Sequence, residues 1–154
     1  MADVTSVLDK AGIDYDLLDH ERTERALLEA RALGVPPEQV AKTLVLSTPA
    51  GNVRAVLPAS ERVDFHKLRD LVEGGKNIRL LREDELERDY SEFELGAVPP
   101  FGGSKRDRVI LDSRLAEQDS VVLEAGSHRK SVRLKTNDLK TLTGAEVADI
   151  SQEA

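Results

Sequence analysis

The chain has 154 residues, a length at which one domain can bury its own hydrophobic core, so we expect a single domain over residues 1–154. Hydrophobic residues make up 40% and charged residues 33%, a balance typical of a soluble globular protein. The absence of cysteine excludes disulfides, thiolate metal sites and a cysteine nucleophile, and the net charge of −7 argues against a general nucleic-acid coat protein.

Nothing in the sequence predicts a membrane segment or a signal peptide. The N-terminus has neither a basic start nor an apolar stretch of signal length. No segment approaches the roughly 20 apolar residues that a membrane-spanning helix needs. We therefore expect a cytoplasmic protein without a membrane partner.

Hydrophobic periodicity predicts helices and strands in mixed order along the first part of the chain. Gly12 and Gly34 stand where helices are expected to end, and Asp64 stands where one is expected to begin. The predicted elements are a helix over 4–11, a strand over 13–17, a helix over 26–33, a strand hairpin over 43–47 and 53–57, a helix over 65–72, a strand over 78–81 and a surface helix over 83–89.

The second part begins with a loop over 96–103 and continues with short strands. Strands are predicted over 109–111, 121–124 and 132–134, with a turn over 125–128, a helix from Asn137 or Asp138 and a terminal strand or extended tail over 147–150. Helices and strands do not alternate strictly. The fold class is therefore α+β in a single domain, with a mixed, mostly antiparallel sheet that can curl into a partial barrel flanked by helices.

Several common functional motifs are absent. The sequence has no Walker loop, no GxGxxG, no HExxH and no GxSxG. His20, His66 and His128 lack the local spacing of a zinc site, so neither a metal nor another cofactor is expected. We interpret His66, beside a helical lysine, as a surface residue.

Lys42 stands at the entrance to a strand that is otherwise apolar. Its ammonium needs an anionic or carbonyl partner when it leaves water in part. A ligand phosphate, an ester oxygen or a nearby carboxylate would serve. From the residues alone, a lysine exposed at a strand end is the more common situation.

The Gly/Pro-rich loop Gly96–Gly103 is the second candidate. Glycines let backbone N–H groups approach a ligand closely, and Pro99 with Pro100 stiffens the chain. Preorganised N–H groups can stabilise the oxyanion that develops when an ester is attacked. The alternative is an ordinary rigid turn.

Three polar residues remain open from sequence. His20 at a strand end and His128 in a turn could act as a base or a donor near neutral pH, or serve as capping or structural residues. Asp112 follows a strand and could orient a pocket group or cap the next turn.

The stretch Gln39–Leu46, read with Gly96–Gly102, resembles the YbaK/EbsC family of editing domains associated with prolyl-tRNA synthetase. The resemblance extends from about Val7 to Ile150 and includes Asp112 and the Thr143–Ala145 segment. It implies a YbaK-like fold and a free-standing deacylase that hydrolyses the ester of a mischarged tRNA. The expected partners are the aminoacyl-tRNA 3′ end and prolyl-tRNA synthetase.

The resemblance also implies roles for individual residues. Lys42 would anchor the tRNA 3′ end, and loop amides around Gly102 would polarise the ester carbonyl. Water or a group of the substrate would attack, since no strong protein nucleophile is evident. The substrate-binding residues that it implies are Thr43, His20, Gly96, Pro100, Phe101, Asp112 and His128.

The chain departs from both main branches of the family, so the amino acid removed stays open. Leu18 and Glu124-Ala125 differ from the branch that acts on Cys-tRNA(Pro). Lys42-Thr43 and Ser104–Asp107 differ from the branch that acts on Ala-tRNA(Pro). Whether His20, His128 or Glu124 reaches the pocket is also open. The alternatives are a non-catalytic tRNA- or nucleotide-binding module, which would use the basic excess over 105–140, and a synthetase-interacting protein.

Overall fold

The computed structural model describes residues 4–20, 26–72 and 75–152. Within them the chain forms six α-helices and eight β-strands. The helices are α1 (Val4–Lys10), α2 (Ala26–Leu33), α3 (Phe65–Leu71), α4 (Glu83–Asp89), α5 (Ser113–Ala116) and α6 (Thr136–Thr143), and short 3-10 turns cover Pro37–Gln39 and Gly75–Asn77. The strands are β1 (Tyr15–Asp19), β2 (Ala41–Thr48), β3 (Gly51–Pro58), β4 (Arg79–Leu80), β5 (Arg108–Asp112), β6 (Ser120–Ser127), β7 (Lys130–Lys135) and β8 (Glu146–Ala148).

Five strands form a mixed sheet in the order β4-β2-β3-β5-β8. Strands β2 and β3 are an antiparallel hairpin, closed where the Thr48 hydroxyl accepts the Ala50 N–H and donates to the Gly51 carbonyl. Strand β5 adds parallel to β3, and β8 adds parallel to β5. Parallel neighbours need long connections, which here carry α3, α4, α5 and α6.

The other three strands form an antiparallel sheet in the order β1-β7-β6. The two sheets meet at one parallel bridge, between Val40 and Val122. The largest hydrophobic cluster fills the space between them and draws on both, with Val45 and Val56 from one sheet and Leu123 from the other. Its few aromatic members include Phe93. The joint between the sheets is the feature that creates the site described below.

The α+β class with mixed sheets, expected from the sequence, is confirmed, and the sheets stay open. The strands divide into two sheets because β6 leaves β2 after the Val40–Val122 bridge. The turn predicted over 125–128 is wrong in position, since β6 continues to Ser127 through a bulge at Gly126, where φ is +84°. None of the helices in the described ranges is long and apolar enough to cross a membrane.

The bulge at Gly126 leads to a prediction about stability. A Cβ added there would stand 2.8 Å from Cδ1 of the buried Phe93, on a backbone that L side chains rarely adopt. We expect Gly126→Ala to lower the free energy of unfolding by about 2–5 kcal/mol, because left-handed strain and overpacking add. The matched control is Gly12→Ala, where φ is +70° with nothing within 4 Å, and it should cost about 1–2 kcal/mol. Urea denaturation of both variants measures the difference, and equal losses would contradict the packing argument.

Candidate functional site

A cavity of about 100 Å³ lies at the joint between the two sheets. One wall is the first half of β2, and the opposite wall is the loop after α4. The lining residues are Ala41, Lys42, Thr43, Leu44, Gly96, Ala97, Val98, Pro99, Pro100, Leu123 and Glu124. The two segments that stood out in the sequence are therefore brought together.

The cavity exists because strand pairing is interrupted along one edge of β2. Polar backbone groups of alternate residues point to opposite edges of an antiparallel strand. Ala59 N donates to Val40 O on the β3 side, and Leu81 N donates to Val45 O on the other edge. By this alternation Thr43 presents its N–H and C=O to the same edge as Val45. Among the described residues no strand pairs with that edge at Thr43, so its backbone groups face the cavity.

Lys42 lies half-buried in the cavity wall. Burial lowers the pKa of its ammonium, the positive charge of Arg62 lowers it further, and Glu61 opposes both. Within the described ranges, the side chain forms no hydrogen bond or ion pair. The result is a partly desolvated cation that is available to an anionic or carbonyl oxygen of a ligand.

The loop opposite Lys42 offers backbone donors. Gly96 has φ of +84°, and the Ala97 N–H is taken by the Glu94 carbonyl at 2.9 Å. In the part of the chain that the structure describes, the N–H groups of Gly96 and Val98 donate to no acceptor. Two unsatisfied N–H groups on the wall that faces a cation are suited to a carbonyl whose oxygen gains negative charge.

His128 holds this loop from behind. The ring is 2% exposed, and its Nε2 lies 2.7 Å from the Leu95 carbonyl, directly before Gly96. Its Nδ1 lies 2.9 Å from Oε2 of Glu124, which lines the cavity. Both ring nitrogens face acceptor oxygens, so a ring N–H on either nitrogen donates to one of the two partners. His128 thereby links a cavity carboxylate to the start of the loop.

The remaining predicted residues divide between the cavity and other places. Thr43, Gly96 and Pro100 line the cavity beside Lys42. Gly102 and Phe101 lie on the other face of the loop, in a second cleft of about 480 Å³ that also includes Arg54. Phe101 packs into the main core there.

Asp112 and His20 lie away from the cavity lining. Asp112 is fully buried, and its carboxylate accepts the Arg114 and Ile150 N–H groups, so it caps α5 and fastens the C-terminal segment. His20 Nε2 lies 2.8 Å from the hydroxyl of Ser131. Ala97 and Val98 line the cavity as members of the predicted loop, whereas Leu123 was not singled out from the sequence, since its apolar character gives no chemical signal.

Ser131 connects His20 to a buried carboxylate, Glu29. The Ser131 hydroxyl donates to Oε2 of Glu29, while Oε1 of this fully buried residue has no hydrogen-bond partner among the described residues. Burial raises the pKa of Glu29 to about 7, and the Ser131 hydrogen bond opposes that rise only in part. The local sequence gave no signal for this chain of groups, because Glu29 looks like an ordinary helical surface residue.

The raised pKa of Glu29 predicts pH-dependent stability. Between about pH 4.5 and 7, the native state keeps Glu29 protonated whereas the unfolded chain loses that proton. The raised pKa therefore adds most to the free energy of unfolding at low pH, and this stabilisation is lost as the pH rises through 7. Between pH 5 and 8 the loss should be roughly 2–3 kcal/mol. Subtracting the unfolding profile of Glu29→Gln from that of the wild type isolates this loss. Parallel profiles would show that Glu29 does not titrate in this range.

Among the described residues, no three His, Asp or Glu side chains come close enough together to hold a metal ion. The groups that the described residues bring to the cavity are the Lys42 ammonium, the loop amides, the Glu124 carboxylate and the Thr43 backbone and hydroxyl. These groups can bind and polarise a carbonyl compound.

Comparison with known proteins agrees with this geometry. The model of the aminoacyl-tRNA editing domain matches residues 20–142. The EbsC protein of Enterococcus faecalis (strain ATCC 700802 / V583), whose name proposes a Cys-tRNA(Pro)/Cys-tRNA(Cys) deacylase, is 26% identical over 123 residues. The alignment covers 79% of this chain and 74% of that protein.

Solved structures give the same result. A crystal structure described as a proposed trans-editing enzyme for prolyl tRNA synthetase superposes with a TM-score of 0.86 at 28% identity, covering 97% of this chain and 95% of that one. The hypothetical protein APE2540 gives a TM-score of 0.87 at 26% identity, with coverages of 97% and 99%. The YbaK/EbsC resemblance of the sequence is thus confirmed, and the chain belongs to the aminoacyl-tRNA editing domain family.

Proposed function

We propose that the protein is a trans-editing deacylase that hydrolyses the ester bond of mischarged aminoacyl-tRNA. The observation that carries the proposal is the pairing, across one small cavity, of a half-buried Lys42 with two loop amides, none of which has a hydrogen-bond partner among the described residues. A cation and preorganised N–H groups at opposite walls match two parts of the substrate's end. These are the anionic phosphate beside the terminal adenosine and the polar ester carbonyl.

In this mechanism Lys42 binds the 3′ end of the tRNA, and the exposed edge of Thr43 holds the backbone of the acylated nucleotide. The Gly96 and Val98 N–H groups donate to the ester oxygen as negative charge develops on it. Gly102, on the far face of the loop, contributes by supporting the loop's shape. Water adds to the carbonyl carbon, the C–O bond to the ribose breaks, and the ribose oxygen leaves with a proton.

The lining residues also bear on the choice of substrate. The cavity is small, and Ala97, Val98 and Pro99 form an apolar wall, which favours a small side chain such as that of alanine or cysteine. A synthetase gains only about 1–3 kcal/mol of selectivity from one methylene group of the amino acid. A second, hydrolytic site with a small apolar pocket would supply the discrimination that the synthetase lacks. The relatives named above support tRNA(Pro) as the carrier, with prolyl-tRNA synthetase as the partner.

The test is a panel of precharged tRNAs at substoichiometric protein. It contains tRNA(Pro) carrying Ala, Cys, Ser or Pro, and non-cognate tRNAs carrying Ser or Ala. We expect multiple-turnover release from one small-residue pair, with Pro-tRNA(Pro) spared. Addition of prolyl-tRNA synthetase should increase the rate if the two proteins associate. Binding of tRNA without release from any pair would contradict the proposal and favour a non-catalytic binding module.

A further inference from the structure

We propose that Arg54 is a positioning residue for the cavity loop, acting from the face opposite the substrate. It clamps the carbonyls of the loop and so sets where the cavity wall stands. The catalytic consequence rests on the proposed function, whereas the effect on the loop itself does not. No lining residue of the Lys42 cavity is replaced in testing it.

Arg54 lies in β3 and is 1% exposed, yet it carries a full charge. All three of its guanidinium nitrogens contact one segment, residues 99–107. Nη1 donates to the Pro99 carbonyl at 2.9 Å, and Nη2 donates to the carbonyls of Gly102 at 2.9 Å and Lys105 at 3.3 Å. Nε pairs with Asp107 at 3.0 Å. One side chain thus binds four residues within a nine-residue segment that begins in the loop and ends just before β5.

A second layer holds the guanidinium in place. The guanidinium carbon lies 5.3 Å from the centre of the buried Tyr90 ring, within the range of a cation–π contact. The Tyr90 hydroxyl donates to the same Asp107 oxygen that accepts from Arg54, and Asn52 donates to the Tyr90 hydroxyl at 3.2 Å. Arg54, Tyr90 and Asp107 therefore form one buried unit, which we call the loop clamp.

The composition of the loop explains why a clamp of this kind is needed. Pro99 and Pro100 have no N–H group, so neighbouring acceptors cannot hold this stretch. Its carbonyls can be held only by donors, and Arg has five N–H donors in a planar fork. Pro99 lines the cavity while its carbonyl is bound to Arg54 from behind. The start of the loop is held separately, through the Leu95 carbonyl and His128.

The clamp predicts a specific loss in catalysis. Without it, the Pro99 peptide is free to rotate, and the wall that carries the Val98 N–H moves with it. A misplacement of about 1 Å in such a site can cost roughly 100-fold in rate. A residue that only stabilised the fold would lower the melting temperature and leave kcat per folded molecule unchanged.

The experiment uses the full chain with Arg54→Lys, Tyr90→Phe and the double variant Arg54→Met/Asp107→Asn. The double variant avoids leaving a buried carboxylate without its partner, and Tyr90→Phe removes one hydroxyl and keeps the ring. The control is Arg108→Met, which directly follows Asp107 in the sequence and removes an exposed ion pair with Glu146. Single-turnover rates, tRNA affinity, the folded fraction and trypsin cleavage after Lys105 and Arg106 are measured for each.

We expect kcat per folded molecule to fall about 10–100-fold in the double variant and in Arg54→Lys, with tRNA affinity within about threefold of the wild type. Cleavage after Lys105 should accelerate at least about tenfold, because its carbonyl loses its donor. Tyr90→Phe should give a smaller shift in the same direction, and Arg108→Met none. The proposal would be overturned if Arg54→Lys kept the wild-type kcat and cleavage rate. Unchanged kcat and cleavage in the folded double variant would overturn it as well. If the wild type hydrolyses no substrate, the proposed function fails, and the cleavage rates alone decide the role of Arg54.

Discussion

Replacing Lys42 with alanine is expected to lower kcat/KM for deacylation by about 100–1,000-fold, the usual cost of removing one preorganised stabilising group. Lys42 is the charged donor on its wall, and no described side chain engages it. Its removal therefore leaves no buried partner behind. The free energy of unfolding should change by less than about 1 kcal/mol, as for most substitutions that break no internal contact.

The controls separate charge from geometry. Lys10→Ala, at an exposed position in the last turn of α1, should leave the rate unchanged. Lys42→Arg retains the charge and should keep more activity than alanine, although the larger guanidinium crowds the cavity. Because burial lowers the pKa of Lys42, the activity that depends on its charge should fade at a lower alkaline pH than for an exposed lysine. Turnover of Lys42→Ala at the wild-type rate would contradict the assignment of this cavity.

His128→Ala is expected to impair both the fold and the reaction. It removes the buried ring that contacts both the Leu95 carbonyl and the Glu124 carboxylate. We expect a loss of about 3 kcal/mol in the free energy of unfolding, from the broken, largely buried pair. The deacylation rate per folded molecule should fall about 10–100-fold, since Gly96 and Glu124 both lose their positions.

The matched control for His128 is His66→Ala, on the exposed surface of α3, which should change neither quantity measurably. Glu124→Gln is the companion variant. It retains an acceptor for Nδ1 and should lose less stability than His128→Ala. Denaturant unfolding and single-turnover kinetics give the two readouts. A His128→Ala protein with native stability and native rate would show that the ring does not hold the loop.

The sequence predicted most elements because their local signals were strong. The Asp64 side chain accepts the His66 and Lys67 N–H groups as a helix cap, as expected from its place before an apolar run. Helix α4 and the β2–β3 hairpin also agree with their patterns. The short helix α5 is not predicted as a helix, because four residues show no periodicity; the sequence indicates only a turn that Asp112 could cap.

The sequence predicted the two main segments that line the cavity, but not the interrupted strand pairing that creates it. Lys42 and Gly96 were recognisable by chemistry. The gap in pairing at Thr43 depends on where β6 separates from β2, which no local pattern records. Arg54 lies in a strand whose other residues are mostly apolar, and its partner Asp107 is 53 positions away. Contacts of this range follow from the tertiary fold and leave no local sequence pattern. For the same reason the sequence analysis placed Gly102 in the site, whereas in the structure Gly102 lines the second cleft, on the other face of the loop.

The most direct test of the central claim is to map where an aminoacyl-adenosine binds on the wild-type protein. The probe is alanine joined by an amide to 3′-amino-3′-deoxyadenosine, which resists hydrolysis, titrated into ¹⁵N-labelled protein. The account predicts that the amide signals of Thr43, Gly96 and Val98 shift together and saturate together. Shifts confined to Gly103 and Lys105, in the cleft on the far side of the loop, would contradict it.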